Sequence, residues 1–154
     1  MSRISPNLTT SMTTTSLQRT KDMLVSTKGR YALRIMLALA KRSDEGYIPL
    51  KELAKQEQIS QKYLESIMTV LSKGELVDAT HGKNGGYRLN RPVEAYTVES
   101  ILNLTEGGLT TVGCGGACDR SEQCLTRPMW KGLDELVHSY FRGITLASLL
   151  ENGV

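Results

Sequence analysis

Between Ile48 and Asn90 the apolar residues change their spacing once, and that change restricts the folds open to the chain. From Ile48 to Gln56, Leu50, Leu53 and Ala54 share one side of a short helix. Ser60 is then placed to cap a longer helix, in which Leu64, Ile67, Met68 and Leu71 recur at steps of three and four and form one stripe. Gly74 ends it. LVDATH, GKNGG and YRLN follow with strand alternation around a Gly-rich turn, the signature of a hairpin. Upstream, GRYALRIMLALAK (Gly29 to Lys41) is apolar nearly all round, so that helix must be covered on more than one side. Helix, short helix, turn, helix and hairpin in this order predict a mainly α chain with a winged helix-turn-helix and a small β-hairpin wing.

With 154 residues, 40% hydrophobic and 23% charged, the chain can bury one core and is too apolar to be disordered throughout. No run reaches the ~18 apolar residues of a membrane span. The N-terminus lacks a secretory apolar stretch, and the expected location is the cytoplasm, without membrane attachment. Ten of residues 1–22 are Ser or Thr, which predicts a disordered extension. The net charge of +3 is small, but its distribution is uneven. Residues 23–92 carry 12 basic and 7 acidic groups, whereas residues 93–154 carry 4 and 8. The expected division is therefore an extension (1–22), a basic winged-helix domain (23–92) and an acidic remainder with a cysteine loop and a dimerisation helix (93–154).

The second helix of the pair turns Gln61, Lys62, Glu65, Ser66 and Thr69 away from its apolar stripe. A helix of this kind fits the major groove, where such side chains meet base edges or phosphates. The turn from Gly82 to Gly86 is thin enough to approach the DNA backbone or minor groove, with His81, Lys83 and Arg88 as donors. Glu65 repels phosphate in general, so its use there is as an acceptor from cytosine or a filter against other sequences. The competing reading is a solvated helix face with a decorative hairpin. The basic segment and the Gly-rich turn favour double-stranded DNA.

Beyond the hairpin, Thr97 to Thr105 reads as a helix with Val98, Ile101 and Leu102 inward. A last long helix starts near Arg127 and Pro128, since Pro is accepted in a first turn. Trp130, Leu133, Val137, Tyr140 and Ile144 repeat along it, flanked by Met129, Leu136 and Phe141, a stripe wider than a monomer surface needs. It predicts a homodimer interface, with Leu146 to Glu151 as a closing turn and His138 as a surface or interface residue. Cys114, Cys118 and Cys124 follow the spacing C-x3-C-x5-C in a Gly-rich loop. Three thiolates so placed suit an iron-sulfur cluster, a zinc site with one further ligand, or redox-sensing thiols, and spacing alone leaves these and inert cysteines open. Nothing resembles a catalytic constellation, so no enzyme is expected.

STKGRYALRIMLALA (26–40), ISQKYLESIMTVL (59–71), HGKNGGYRL (81–89) and CLTRPMWKGL (124–133) together resemble the Rrf-two (Rrf2) family of bacterial winged-helix transcription regulators. The likeness spans residues 23–151. It implies a homodimeric regulator that binds operator DNA through the second helix and the wing, and repression is its expected action. Gln61, Lys62, Tyr63, Glu65 and Ser66 fall in the recognition stretch, and His81 and Gly82 open the wing. Cys114, Cys118 and Cys124 take the place of cysteines that hold a 2Fe-2S or 4Fe-4S cluster in many members. Other members hold no cluster and are controlled by a partner protein, an alternative that stays open here, as do zinc and thiol sensing. Three departures stand out. The first cysteine gap holds three residues where cluster-binding relatives often have five. Arg127 occupies the position of a histidine ligand, and Arg30 that of an N-terminal aspartate ligand; a guanidinium does not ligate iron. Glu106, Asp119, Glu122, water or a small thiol are then candidates for the fourth ligand. At the wing, His81 replaces a frequent arginine, which implies weaker or pH-dependent reading of the minor groove.

Overall fold

The computed structural model describes residues 25–112 and 123–152. The serine- and threonine-rich extension (1–22), Cys114, Cys118, Asp119 and Glu122 lie outside the described residues. Helix α1 (Thr27–Lys41) starts at Ser26, whose hydroxyl accepts the Gly29 amide, and buries Ala32, Ile35, Met36, Ala38, Leu39 and Ala40. Its near-complete apolarity is explained by its position, since α2 (Leu50–Glu57), α3 (Gln61–Lys73), α4 (Val98–Glu106) and α6 (Leu146–Asn152) all pack on it. Ser60 caps α3 by accepting the Tyr63 amide, and the predicted stripe Leu64, Ile67, Met68 and Leu71 is fully buried. Burying such side chains contributes about 1.5–3 kcal/mol each, enough to hold α3 with its other face in water.

Strands β1 (Val77–Thr80) and β2 (Gly86–Leu89) form an antiparallel hairpin in the register Val77 with Leu89, Asp78 with Arg88, Ala79 with Tyr87 and Thr80 with Gly86. Ile48 forms an isolated antiparallel bridge to β2, exchanging backbone hydrogen bonds of 2.9 Å in both directions with Tyr87. That approach requires glycine at position 86, because a Cβ there would overlap the Ile48 backbone. At the tip, Gly82 has φ +100°, a conformation side chains disfavour.

Helix α4 is capped by Thr97 and buries Val98, Ile101 and Leu102, as the periodicity predicts. Helix α5 (Arg127–Arg142) has Pro128 in its first turn and differs from every other long helix, since none of its residues is buried. Leu133, Leu136, Tyr140 and Met129 are 40, 69, 61 and 57% exposed. The link from α5 to α6 is stitched to the chain ahead of α4: the Val98 amide donates to the Ile144 carbonyl and the Leu146 amide to the Tyr96 carbonyl, both at 2.9 Å. Ile144 lies in this link rather than on α5 and packs against Val98, Leu102 and Leu109 of its own chain.

Candidate nucleic-acid interface and cysteine loop

The buried stripe of α3 forces Gln61, Lys62, Glu65, Ser66 and Thr69 outward, and all five are exposed. Tyr63, also on the recognition stretch, is half-buried and meets Tyr31 of α1 edge-on at 5.9 Å. Tyr31 is covered in turn by the Arg34 guanidinium at 5.1 Å, which pairs with the buried Glu57 carboxylate of α2 at 2.9 Å. Tyr63 thus orients α3 on α1 more than it offers a free edge to a ligand. The Ser66 hydroxyl donates to the Tyr63 carbonyl (2.6 Å) and Thr69 to the Glu65 carbonyl (2.8 Å). With their protons so engaged, both hydroxyls face outward as acceptors. Donors on this face are Gln61 and Lys62, and Glu65 adds a third acceptor near the wing. Its charge, together with burial, raises the pKa of Tyr87 on β2, burial being the larger cause.

His81, Gly82 and Lys83 are exposed at the wing tip. Arg88 is placed differently from a free phosphate donor. Its guanidinium pairs with Asp78 across the ladder (3.2 Å) and lies 4.6 Å from the Tyr47 ring centroid. The Asp78 pairing follows from the hairpin register and was within reach of the sequence once the turn length was fixed; Tyr47 required the fold.

The cysteine loop is anchored at both described ends. On its upstream side Leu109 is buried, and Asp134 of α5 accepts both the amide and the hydroxyl of Thr111 at 2.7 Å. On its downstream side, Cys124 Sγ sits 3.3 Å from the Thr126 hydroxyl. This hydrogen bond is the leading cause of a lowered Cys124 pKa, with the Thr126 and Arg127 amides and the Arg127 charge adding to it. Glu106, named above as a fourth-ligand candidate, is engaged elsewhere: Oε1 accepts the Ser26 hydroxyl (2.8 Å) and the Ser26 amide (3.2 Å) at the start of α1. His138 Nδ1 lies 2.8 Å from Glu99 Oε1, and Arg142 donates to both oxygens of the same carboxylate, tying α5 to α4. Among the described residues no three His, Cys, Asp or Glu side chains converge on a common metal position.

With this arrangement in place, the comparisons decide the family. The profile of Rrf2, an iron-dependent transcriptional regulator, matches residues 25–152. The chain belongs to the Rrf2 family. The transcriptional regulator IscR of Erwinia tasmaniensis is 35% identical over 132 residues, 84% of this chain and 80% of that protein. Among solved structures, CymR, the global cysteine regulator of B. subtilis, is 32% identical with a TM-score of 0.69, the match covering 82% of this chain and 95% of CymR. IscR of T. potens is 31% identical, also with a TM-score of 0.69, covering 86% and 90%. The chain is accordingly a DNA-binding transcription regulator of winged-helix fold and not an enzyme. No helix among the described residues is long and apolar enough to cross a membrane.

Proposed function

We propose that this Rrf2 regulator acts in the cytoplasm as a homodimeric repressor. Two copies of α3 and the wing grip a two-fold operator, and a cluster ligated by Cys114, Cys118 and Cys124 tunes that grip. The observation that carries the DNA reading is the outward polar face of α3, held by a wholly buried stripe beside an exposed glycine turn. Gln61, Lys62, Glu65, Ser66 and Thr69 read base edges or fix register on phosphates. His81, Gly82 and Lys83 approach the backbone or minor groove, and Arg88 stiffens the wing through Asp78. The apolar face of α5, with Trp130, Leu133, Val137 and Tyr140, supports the dimer, and Ile144 supports it from within each subunit's own core.

The donor chemistry fits the cluster at the one ligand the structure describes. Cys124 has a depressed pKa, and the thiolate is the ligating form. When bound, a cluster supplies a centre that gains or loses electrons or ligands. The Thr126 hydroxyl beside the Cys124 sulfur helps to lower the thiol's pKa, and Asp134 fixes the upstream arm of the loop through Thr111. Because Glu106 already serves Ser26, the fourth ligand is drawn from Asp119, Glu122, water or a small thiol. Protein isolated without oxygen should be brown, with near-stoichiometric iron and sulfide. The triple variant Cys114→Ala, Cys118→Ala and Cys124→Ala should lose both and change its operator affinity. A colourless zinc protein would overturn the cluster reading.

A second reading draws on the likeness to the global cysteine regulator CymR, as great by TM-score as that to T. potens IscR. It makes the chain a cluster-free repressor controlled by a partner protein or by thiol oxidation. In that case the triple variant binds operator as the parent does until the partner or oxidant is added.

A further inference from the structure

Tyr96 is fully buried, yet its hydroxyl makes three hydrogen bonds at the base of the wing. It accepts the amides of Asn90 and Arg91, each at 2.9 Å, and donates to Asn90 Oδ1 at 2.9 Å. The same two residues reach back to where the wing begins. Asn90 Nδ2 and Arg91 Nη2 both donate to the Glu75 carbonyl, at 3.0 and 2.8 Å. Glu75 itself is held at φ +55°, an uncommon conformation that gains from such bracing. Entry and exit of the hairpin are thus closed by one network centred on a single phenol. On its backbone side, Tyr96 accepts the Leu146 amide at 2.9 Å, the first residue of the helix that follows α5.

We propose that Tyr96 is a positioning residue for DNA binding. It fixes the angle of the wing relative to α3 and ties that angle to the α5–α6 link, so that a change in the dimerisation half reaches the wing tip without crossing the recognition helix. Tyr96 touches no DNA in this account; it acts through His81, Gly82 and Lys83, and so rests on the wing reading given above. A buried phenol with three partners is costly to leave half satisfied, which makes the wing's position at its base well defined.

The test is operator binding by the full-length protein, measured by fluorescence anisotropy across a salt series, for the parent, Tyr96→Phe, Lys83→Ala and the double variant. Lys83→Ala should weaken binding and reduce the salt slope by roughly 1.8, about 0.9 for each of the two wings on the operator. Tyr96→Phe keeps the ring but strands two amides, and should weaken binding by about tenfold. Combined with Lys83→Ala it should add little, since both losses act through the same wing. Hydrogen exchange of amides 86–91 should quicken in Tyr96→Phe while those of α1 and α3 keep their rates. Asn90→Ala, at an exposed position that leaves the core intact, should reproduce both effects should Tyr96→Phe fold poorly. Parent-like affinity in Tyr96→Phe, or losses that multiply fully in the double variant, would overturn the proposal. An unchanged affinity in Lys83→Ala would defeat the wing reading itself, and unchanged exchange at 86–91 would defeat the clamp separately.

Discussion

Helices α3 and α5 are both amphipathic, with apolar residues at steps of three and four, and their fates are opposite. The stripe of α3 is sealed by its own chain, with Leu64, Ile67, Met68 and Leu71 all at 0% exposure. The stripe of α5 leaves Leu136 and Tyr140 at 69 and 61% exposure. Periodicity specifies that a face must be covered. It does not specify by what. The same pattern that builds a core in the first half of the chain leaves an exposed apolar face in the second.

This contrast predicts a ranking of effects. Leu71→Ala, which empties a fully buried position, should lower unfolding stability by about 2–5 kcal/mol in a denaturant titration. Leu136→Ala should stay within about 0.5 kcal/mol when the protein is dilute enough to be monomeric. A comparable loss from both would break the contrast. Next in size, Leu136→Glu with Tyr140→Ser should raise the dimer dissociation constant by on the order of a hundredfold in sedimentation equilibrium, while the far-ultraviolet spectrum stays unchanged. A dimer of undiminished strength would mean that α5 is not the face that pairs. Removing the cap of the recognition helix with Ser60→Ala should cost about 1 kcal/mol.

The smallest effect concerns the Glu99 carboxylate, which joins α4 to α5. The hydrogen bonds from Arg142, with His138 contributing, hold its pKa below the ordinary value of 4.5 against the opposing push of burial. A depressed folded-state pKa means that this contribution to stability is fully present above about pH 4.5 and is lost as the pH falls through the folded value. Glu99→Gln should therefore give a shallower fall of melting temperature between pH 5 and pH 3 than the parent.

Much of the recognition half is legible in the sequence because its determinants are local. Ser60 as a cap, the stripe of α3, Gly74 as its end and the glycine turn of the wing each follow from a few adjacent residues. Side-chain engagements set by the tertiary fold are not legible in this way. Arg88 stays exposed but is engaged by Tyr47, far from it along the chain, and Ile144 continues a helical spacing on paper but falls after Gly143, where the chain turns into its own core. Ser66 and Thr69 lie where the spacing puts them, but their protons bond to carbonyls one turn back, which leaves both hydroxyls outward as acceptors. Tyr96 carries no pattern at all in the sequence, because its three partners assemble only once the hairpin returns.

Glu106 is the last residue of α4, immediately ahead of the glycine pair Gly107 and Gly108 that opens the cysteine stretch, and its carboxylate grips the first turn of the protein's opening helix. Any event that drags on that stretch therefore tugs at a hook set in the foundation of the DNA-reading half. Releasing the hook would strip Ser26 of its carboxylate partner and leave the first turn of α1 to fray.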